Sequence, residues 1–361
     1  MARLMEVTFL GTGSANPTPN KAASSIVLRY GDDLWMFDCG EGTQTQVMKS
    51  SLKAGKITKI FITHLHGDHL YGLSGLLCTI SQSNQRTEPV SIYGPLGLAK
   101  FIRVSLGLSR SELCFRFKVI ELQPTDDMLK IDDARLCNIS STDTPVLHPC
   151  EDEGRIVHHT MVEGVPVWTL LDTGPLKVRA GKLDHRIPSF AFIMQEDMLP
   201  ATLSVEKLRE FGFEPGPICA KLRAGESIKT PTGVSVTLSD VLGCTHPGRK
   251  VVICGDSCES SAIASIAKDA DIYIHEATLQ NSLRETAVER GHSTPQMAAQ
   301  FALQACARFL YLTHFSQRYT ESSRKKKEFT VKDLQKEAQQ VFGPNCAVAQ
   351  DMLTFTVKPP K

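Results

Sequence analysis

The sequence feature that most constrains the fold is the motif HLHGDH, residues 64–69, which follows an apolar, β-branched run. That run, residues 57–63, has the composition of a buried strand. The motif places three histidines and one aspartate within six positions, and Gly67 allows the backbone to turn tightly between them. Neutral imidazoles and carboxylates are ligands that suit zinc. We therefore interpret the motif as a metal site at the end of a buried strand.

The spacing within the motif is compatible with two metal ions. His64 and His66 can converge on one ion from a turning loop, while Asp68 and His69 reach a second. The alternative is a helix start, in which Asp68 acts as the cap and the histidines are merely exposed. Three histidines in six positions beside a strand-to-helix turn favour the metal interpretation. Four groups cannot complete two ions, so further ligands must come from elsewhere.

Other histidines and carboxylates are candidates for the missing ligands. The remaining histidines are His148, His158, His159, His185, His246, His275, His292 and His314. Spacing favours His314, which follows a predicted strand, but it does not choose among the others. Asp256 also follows a strand and a glycine, and its two oxygens could bridge two metals; its alternative role is a turn or helix cap. Alternation along a strand directs His275 and Glu276 to opposite faces, which predicts a packed role for His275.

Polar side chains end several predicted strands in the second half of the chain. We predict strands at residues 250–254, 270–275 and 309–313, and helices over residues 70–81 and 295–306, the latter capped by Ser293 or Thr294. This pattern indicates an α/β fold, in which sites gather where strands end. Residues 126–182 have no clear pattern. The Pro/Gly-rich residues 195–247 are predicted to form an extended insertion.

The composition excludes several classes of protein. Forty basic and 39 acidic side chains give a net charge of +1, so any nucleic-acid contact must be local. The basic run SSRKKKEFT, residues 322–330, is interpreted as solvated surface. Eleven cysteines, an odd number, favour unpaired thiols in a reducing compartment. The chain is predicted to have neither a signal peptide nor a membrane span.

Eight motifs, spread from Phe9 to Tyr319, together resemble one family. They are FLGTGSANPTP, FDCGEGTQTQ, KIFITHLHGDH, HRIPSFAF, GPICAKLRAGE, IHEAT, GHSTPQMA and LTHFSQRY. In this order they are similar to the short form of tRNase Z (ribonuclease Z, the ElaC-type zinc phosphodiesterase) in the metallo-β-lactamase superfamily. The resemblance implies a single domain over residues 1–361, an αβ/βα sandwich of two mixed β-sheets flanked by helices. Residues 195–247 would form an inserted, flexible arm that binds tRNA.

The resemblance also implies a role for each candidate residue. One zinc would be held by His64, His66 and His185, the other by Asp68, His69 and His314, and Asp256 would bridge them. His292, with its carboxylate partner Glu276, would protonate the departing 3′ oxygen of the scissile phosphodiester. Asp68 would also orient the attacking water. Substrate contacts would come from Lys21, Pro217, Lys221 and Arg318.

The implied activity is zinc-dependent endonucleolytic removal of the 3′ trailer from precursor tRNA. The products would be a tRNA with a 3′-hydroxyl and a trailer with a 5′-phosphate. Two zinc ions per subunit are implied, in a homodimer of the cytoplasm or nucleus. The alternatives are a superfamily hydrolase of a small phosphodiester or other ester, and a non-catalytic RNA-binding relative. The complete ligand set argues against the second alternative. A redox dimetal protein usually has a glutamate where this chain has His66.

Overall fold

The computed structural model describes residues 3–82, 86–129, 146–172, 174–198, 201–243, 245, 247–320 and 329–359. The predictions for His246 and for most of the basic run at residues 322–330 lie outside the described residues. Two compact units are present. The larger comprises Arg3–Gln195 and Lys250–Lys358, and the smaller comprises Glu196–Arg249.

The larger unit contains two eight-stranded sheets. The strands of the first sheet are β1 (Met5–Gly11), β2 (Ser25–Tyr30), β3 (Asp33–Phe37), β4 (Ile57–Phe61), β5 (Val90–Pro95), β6 (Phe117–Leu122), β7 (Glu151–Val157) and β18 (Thr354–Thr356). Their order is β18-β1-β2-β3-β4-β5-β6-β7. Strands β3 to β7 run parallel, whereas β18, β1, β2 and β3 pair antiparallel, so the sheet is mixed.

The second sheet is mixed as well. Its strands are β8 (Thr160–Val162), β9 (Val165–Leu171), β10 (Leu176–Leu183), β11 (Ser189–Glu196), β14 (Lys250–Cys254), β15 (Ile272–Glu276), β16 (Leu310–Thr313) and β17 (Cys346–Val348). Their order is β17-β16-β15-β14-β11-β10-β9-β8. Strands β14 to β17 are parallel, and β11 pairs antiparallel with β14. The two strands that lie between β11 and β14 in the sequence, β12 (Ile228–Lys229) and β13 (Ser235–Val236), belong to the smaller unit.

Helices cover the outer face of each sheet, and the main core lies between the sheets. The helices are α1 (Thr43–Lys49), α2 (Gly67–Leu70), α3 (Leu73–Gln82), α4 (Leu98–Leu108), α5 (Val205–Glu210), α6 (Pro217–Arg223), α7 (Leu238–Val241), α8 (Arg284–Glu289), α9 (Pro295–Gln304) and α10 (Val331–Phe342). Helices α3 and α4 pack on the first sheet, and α9 and α10 on the second. Between the sheets, the ring of Phe192 lies 5.9 Å from that of Phe37 and 5.2 Å from that of Phe61. The predicted αβ/βα sandwich is confirmed.

The segment around the HLHGDH motif is more broken than predicted. The strand expected over residues 57–63 ends at Phe61. The helix expected over residues 70–81 is divided into α2 and α3 at Gly72. A Cβ atom at Gly72 would lie 2.1 Å from the carbonyl oxygen of Gly40, so this close approach requires glycine. Strands β7 to β10 lie mostly in the part of the chain that has no clear sequence pattern.

The smaller unit is folded rather than extended. It contains α5, α6 and α7 and the two-stranded sheet β12-β13. Its core is formed by the buried side chains of Leu208, Leu222, Val236 and Val241. The buried Arg249 guanidinium donates to both oxygens of Glu196, at 2.7 and 2.6 Å. Gly212 and Gly225, at positive φ, follow α5 and α6. These glycines end short helices. The extended conformation predicted for residues 195–247 is therefore wrong, because the described part of this segment contains three helices and a small core.

The lengths of the helices and the state of the cysteines bear on two predictions from the sequence. None of the helices in the described residues has the length and apolar character needed to cross a lipid bilayer. The cysteines in the described residues are free thiols, as predicted. Burial raises the pKa of Cys254 to about 12, which leaves it neutral.

Candidate metal centre and catalytic cleft

The candidate site lies where parallel strands of both sheets end. In the first sheet, β4 leads into the HLHGDH motif, and α2 begins within it at Gly67. In the second sheet, Asp256 follows β14, Glu276 ends β15 and His314 follows β16. His314 has a left-handed backbone conformation, with φ of 58°. Functional side chains from both sheets therefore converge at one edge of the sandwich.

Four side chains form the first candidate metal group: His64, His66, His185 and Asp256. His66 Nδ1 lies 3.1 Å from His64 Nε2 and 3.2 Å from His185 Nε2. His64 Nε2 lies 3.6 Å from Asp256 Oδ2. Ligands that bind a tetrahedral zinc at about 2.0–2.1 Å lie about 3.3–3.4 Å from one another, so these separations fit one ion.

The second group consists of Asp68, His69 and His314. The Nε2 atoms of His69 and His314 are 3.1 Å apart, and Asp68 Oδ2 lies 3.2 Å from His314 Nε2. Asp256 adjoins this group too, because its Oδ1 lies 3.4 Å from His69 Nε2 and its Oδ2 lies 3.4 Å from His314 Nε2. Asp256 thus stands between the groups, in the position of a bridging carboxylate. The structure brings all of the predicted ligands together.

Hydrogen bonds behind the two groups fix the orientation of four imidazoles. Their Nδ1 atoms bond to Thr63 Oγ1 (His64, 3.0 Å), Asp38 Oδ2 (His69, 2.7 Å), the Gly291 carbonyl oxygen (His185, 2.6 Å) and Thr278 Oγ1 (His314, 2.9 Å). When Nδ1 donates in this way, Nε2 keeps its lone pair for a metal. The donor set and its orientation therefore fit zinc.

Asp38 is a site residue that sequence reasoning missed. It follows β3 and accepts hydrogen bonds from the Thr63 amide at 2.7 Å and the Thr63 hydroxyl at 2.9 Å, as well as from His69. Asp38 therefore supports His69 directly and His64 through Thr63. Its place in FDCGEG, directly after a buried strand, is the same signal that identified Asp256.

Burial and charge set the protonation states of the two groups. Burial lowers the pKa of His64 well below its usual value and that of His66 to about 4. Burial raises the pKa of Asp256, but the surrounding histidines outweigh it and hold the value well below the usual range. For His69, burial is outweighed by nearby carboxylates, chiefly Asp256, and its pKa is raised. A bound cation would displace that proton, because metal ligands must be deprotonated.

His292 and Glu276 form an acid–base pair beside Asp256. His292 Nδ1 donates to Glu276 Oε1 at 2.9 Å. Glu276 is buried and also accepts from the Ser257 amide at 2.8 Å and from the Thr278 hydroxyl. Burial lowers the pKa of His292, but the Glu276 carboxylate outweighs this effect and raises the value to about 9. Since Glu276 takes up Nδ1, Nε2 is the nitrogen that remains for the cleft. His275, as predicted, is packed, against Ser260 at 2.8 Å.

A cleft of about 470 Å³ opens over the two metal groups. Its lining includes His66, Asp68, Asp256, His292 and His314, together with Arg186, Arg290, Arg318 and Tyr71. The three arginines are exposed, and Tyr71 is 68% exposed. The cleft therefore combines candidate metal ligands with cationic and aromatic groups. Of these four lining residues, only Arg318 was predicted from the sequence.

The other predicted substrate contacts lie outside this cleft. Lys21 is 7% exposed, and its ammonium donates to the Tyr319 carbonyl oxygen at 2.5 Å and lies 5.6 Å from the centroid of the Phe315 ring. The Lys21 ammonium is thus engaged within the protein, and its contact with substrate stays a prediction. Pro217 and Lys221 are exposed on α6 of the smaller unit.

A family model matches the N-terminal part of the chain. Residues 5–112 match the model described as "Anti-Pycsar protein Apyc1". This match includes the HLHGDH motif but ends before His185, Asp256 and His314, so it does not cover the complete site.

Known proteins are similar along almost the whole chain. Zinc phosphodiesterase ELAC protein 1 of Bos taurus is 45% identical over 362 residues, which cover 98% of each chain. Ribonuclease Z of Prochlorococcus marinus is 36% identical over 356 residues, 98% of this chain and 100% of the relative. The crystal structure of human tRNase Z, short form, is 36% identical with a TM-score of 0.68, and the match covers 98% of this chain and 100% of that one. With similarity of this extent on the same fold, the chain belongs to the short-form tRNase Z family, which includes zinc phosphodiesterase ELAC protein 1 and ribonuclease Z.

Proposed function

We propose that this protein is a zinc-dependent endoribonuclease that removes the 3′ trailer from precursor tRNA. It leaves a 3′-hydroxyl on the tRNA and a 5′-phosphate on the trailer. The observation that carries the proposal is the convergence of seven metal-binding side chains and the His292–Glu276 pair beneath a cationic cleft. The full-length similarity to ribonuclease Z supports the same substrate.

The protein holds two zinc ions per subunit. His64, His66 and His185 would hold one, Asp68, His69 and His314 would hold the other, and the Asp256 carboxylate lies between the two groups. When bound, two such ions lower the pKa of a water molecule towards neutrality and neutralise charge on a phosphodiester.

Two side chains of the cleft act on the reacting groups: Asp68 orients the attacking water, and His292 donates a proton. Asp68 Oδ2 is fixed by the Ala15 amide at 2.7 Å, and the carboxylate is therefore positioned to orient the attacking water. His292 is protonated at neutral pH because Glu276 raises its pKa to about 9. With Nδ1 held by Glu276, the proton on Nε2 is available to the departing 3′ oxygen of the tRNA.

The remaining groups of the cleft suit an RNA substrate. Arg186, Arg290 and Arg318 can each present a planar guanidinium to phosphate oxygens of nucleotides that flank the scissile bond. In the smaller unit, α6 exposes Pro217 and Lys221, and we assign the unit as the arm that contacts the tRNA body.

The proposal includes assembly as a homodimer in the cytoplasm or nucleus. Val104 and Leu108 on α4 are 41% and 83% exposed, and Met48 on α1 is 65% exposed. The dimer is expected from the family resemblance, and these exposed apolar side chains are available for such a contact. Free thiols in the described residues suit a reducing compartment.

The test is incubation of the purified protein with an end-labelled precursor tRNA that carries a 3′ trailer. We expect one cut at the trailer junction, with a 3′-hydroxyl and a 5′-phosphate at the new ends, and no cut after treatment with a chelator. A 2′,3′-cyclic phosphate on the tRNA body would exclude attack by water. Failure to cut any precursor tRNA would refute the function.

Hydrolysis of a small phosphodiester is the competing function, since it needs the same metal ligands. A variant in which residues 198–247 are replaced by a short glycine linker separates the two possibilities. This deletion keeps Glu196 and Arg249, which pair at the base of the smaller unit. A tRNA-processing enzyme should lose activity on precursor tRNA and keep activity on bis-p-nitrophenyl phosphate. Equal retention of both activities would favour the small substrate.

A further inference from the structure

A second cleft lies at the opposite end of β4 from the metal groups. It has a volume of about 1020 Å³, and its lining includes Lys53, Lys56, Thr58, Lys59, Arg86 and Lys118. Thr58 is in the second position of β4, whereas His64 lies beyond its end. Among the described residues, the two clefts have no lining residue in common, so this cleft is separate from the catalytic one.

The second cleft carries a concentration of positive charge. Its cations are Lys53, Lys56, Lys59, Arg86 and Lys118, and the carboxylates among the described residues that line it are those of Asp33 and Glu88. The whole chain has a net charge of only +1, so the local excess does not reflect the overall composition. Within the described part of the chain, none of these five cations forms a salt bridge.

Lys59 is a partly buried cation of this cleft. Its ammonium lies 4.7 Å from the centroid of the Trp35 ring. Burial lowers the pKa of Lys59, Asp33 raises it, and Lys118 lowers it again, with a net lowering. Keeping a partly buried ammonium without a salt-bridge partner is unfavourable for an isolated protein. The same arrangement favours binding of an anion, because the cation is already placed and partly desolvated.

Arg86 lines the same cleft, where one of its N–H groups donates a hydrogen bond and another has no acceptor among the described residues. Its Nη2 donates to the Gly55 carbonyl oxygen at 2.7 Å, and its guanidinium lies 5.7 Å from the centroid of the Phe115 ring. Its Nε is buried and has no hydrogen-bond partner among the described residues, and the same is true of Thr58 Oγ1. Ammonium, guanidinium and hydroxyl groups together are typical donors to phosphate oxygens.

We propose that this second cleft binds a small phosphate-bearing anion through Lys59, Arg86 and Lys118. The multiple charge of a diphosphate group, free or attached to a nucleoside, matches the local excess of cations better than a single carboxylate would. The volume is sufficient for a ligand of nucleotide size. Binding here is independent of the metal groups and of the proposed cleavage of RNA.

Trp35 allows this site to be observed directly. The chain has two tryptophans, Trp35 and Trp168, so Trp168→Phe leaves the indole beneath Lys59 as the sole tryptophan reporter. The zinc-loaded variant is titrated with inorganic pyrophosphate while tryptophan fluorescence is recorded. Zinc content is measured before and after, because pyrophosphate also binds metals. If Trp168→Phe fails to fold, the Trp35 signal is obtained as the difference between the unaltered protein and Trp35→Phe.

We expect a saturable change in Trp35 fluorescence. Lys59→Met, which keeps an unbranched side chain over Trp35, should weaken pyrophosphate binding at least tenfold, and Arg86→Gln should weaken it similarly. Lys332→Met on α10, an exposed lysine elsewhere, should leave it unchanged. Absence of a saturable change, or equal affinity in Lys59→Met and Lys332→Met, overturns the proposal.

Separate titrations distinguish the possible sources of the phosphate. Inorganic pyrophosphate and ADP represent free ligands, and a short RNA without a cleavage site represents a phosphodiester backbone. Binding of pyrophosphate or ADP that depends on Lys59 supports the proposal. Lys59-dependent binding of the RNA alone overturns the assignment to a small ligand and assigns the cleft to RNA backbone.

Discussion

Glu276→Gln tests whether the buried carboxylate maintains His292 as a proton donor. With Glu276 present, the pKa of His292 is raised from 6.5 to about 9. Glutamine keeps the shape of the side chain and can still accept a hydrogen bond from Nδ1, but it removes the charge. Without that charge, burial is no longer outweighed, so the pKa of His292 falls from about 9 towards or below the ordinary histidine value of 6.5. A group that must be protonated is active below its pKa, so a variant pKa of about 6.5 makes activity fall about 2.5 pH units earlier as the pH rises, and a lower pKa enlarges this shift.

The magnitude follows from the protonated fraction of His292. At pH 7.5, about 97% of a group with a pKa of 9 is protonated, against about 9% of a group with a pKa of 6.5. The ratio of wild-type to variant kcat/KM should therefore be at least about ten at pH 7.5 and should fall towards one as the pH is lowered. Bound metals act on both proteins, so the difference between the two pH profiles reports the effect of Glu276.

The assay is kcat/KM for precursor tRNA across this pH range, with zinc content measured for each protein. Glu285→Gln, an exposed glutamate at the start of α8, is the matched control and should follow the wild-type profile. A ratio that stays constant with pH, at unchanged zinc content, would mean that Glu276 only orients His292 and does not set its pKa.

Three further substitutions test other parts of the site. His292→Ala should lower turnover of precursor tRNA about 10²- to 10⁴-fold with zinc content unchanged; loss of zinc would identify His292 as a ligand instead of an acid. Asp38→Ala should weaken zinc binding about 10- to 100-fold in a chelator competition, because it removes the support of His69; unchanged affinity would contradict that role. Tyr71→Ala should raise KM for precursor tRNA about 5- to 150-fold through loss of base stacking, and should leave cleavage of bis-p-nitrophenyl phosphate unchanged. Equal effects on both substrates would point to a disturbed metal centre.

The sequence was informative about the site where the interacting residues are close together in the chain. The HLHGDH motif supplies four candidate ligands from the loop after β4 and the first turn of α2, and strand alternation correctly separated the packed His275 from Glu276. Spacing could not select His185, because its partner His66 is 119 residues away. Only the packing of the two sheets brings these imidazoles together, although the family motif HRIPSF had pointed to His185.

Tertiary partners also determine features that no local pattern indicates. The Lys21 ammonium donates to the carbonyl oxygen of Tyr319, a residue 298 positions away, and the side chain is buried. In the smaller unit, the high content of proline and glycine suggested an extended chain. Short helices there are stabilised instead by a small shared core, which propensity alone does not predict.

The division of ligands between the sheets links metal binding to the fold. In the first metal group, His64 and His66 lie in the loop after β4 of the first sheet. His185 lies between β10 and β11 of the second sheet. The other group likewise combines Asp68 and His69 with His314, which follows β16. Neither group can form from one sheet alone, so an ion bound at either place stabilises the packing of one sheet on the other. The N-terminal half alone could therefore provide the recognisable motif but not a complete metal centre, and the second sheet supplies the acid His292 and its partner Glu276.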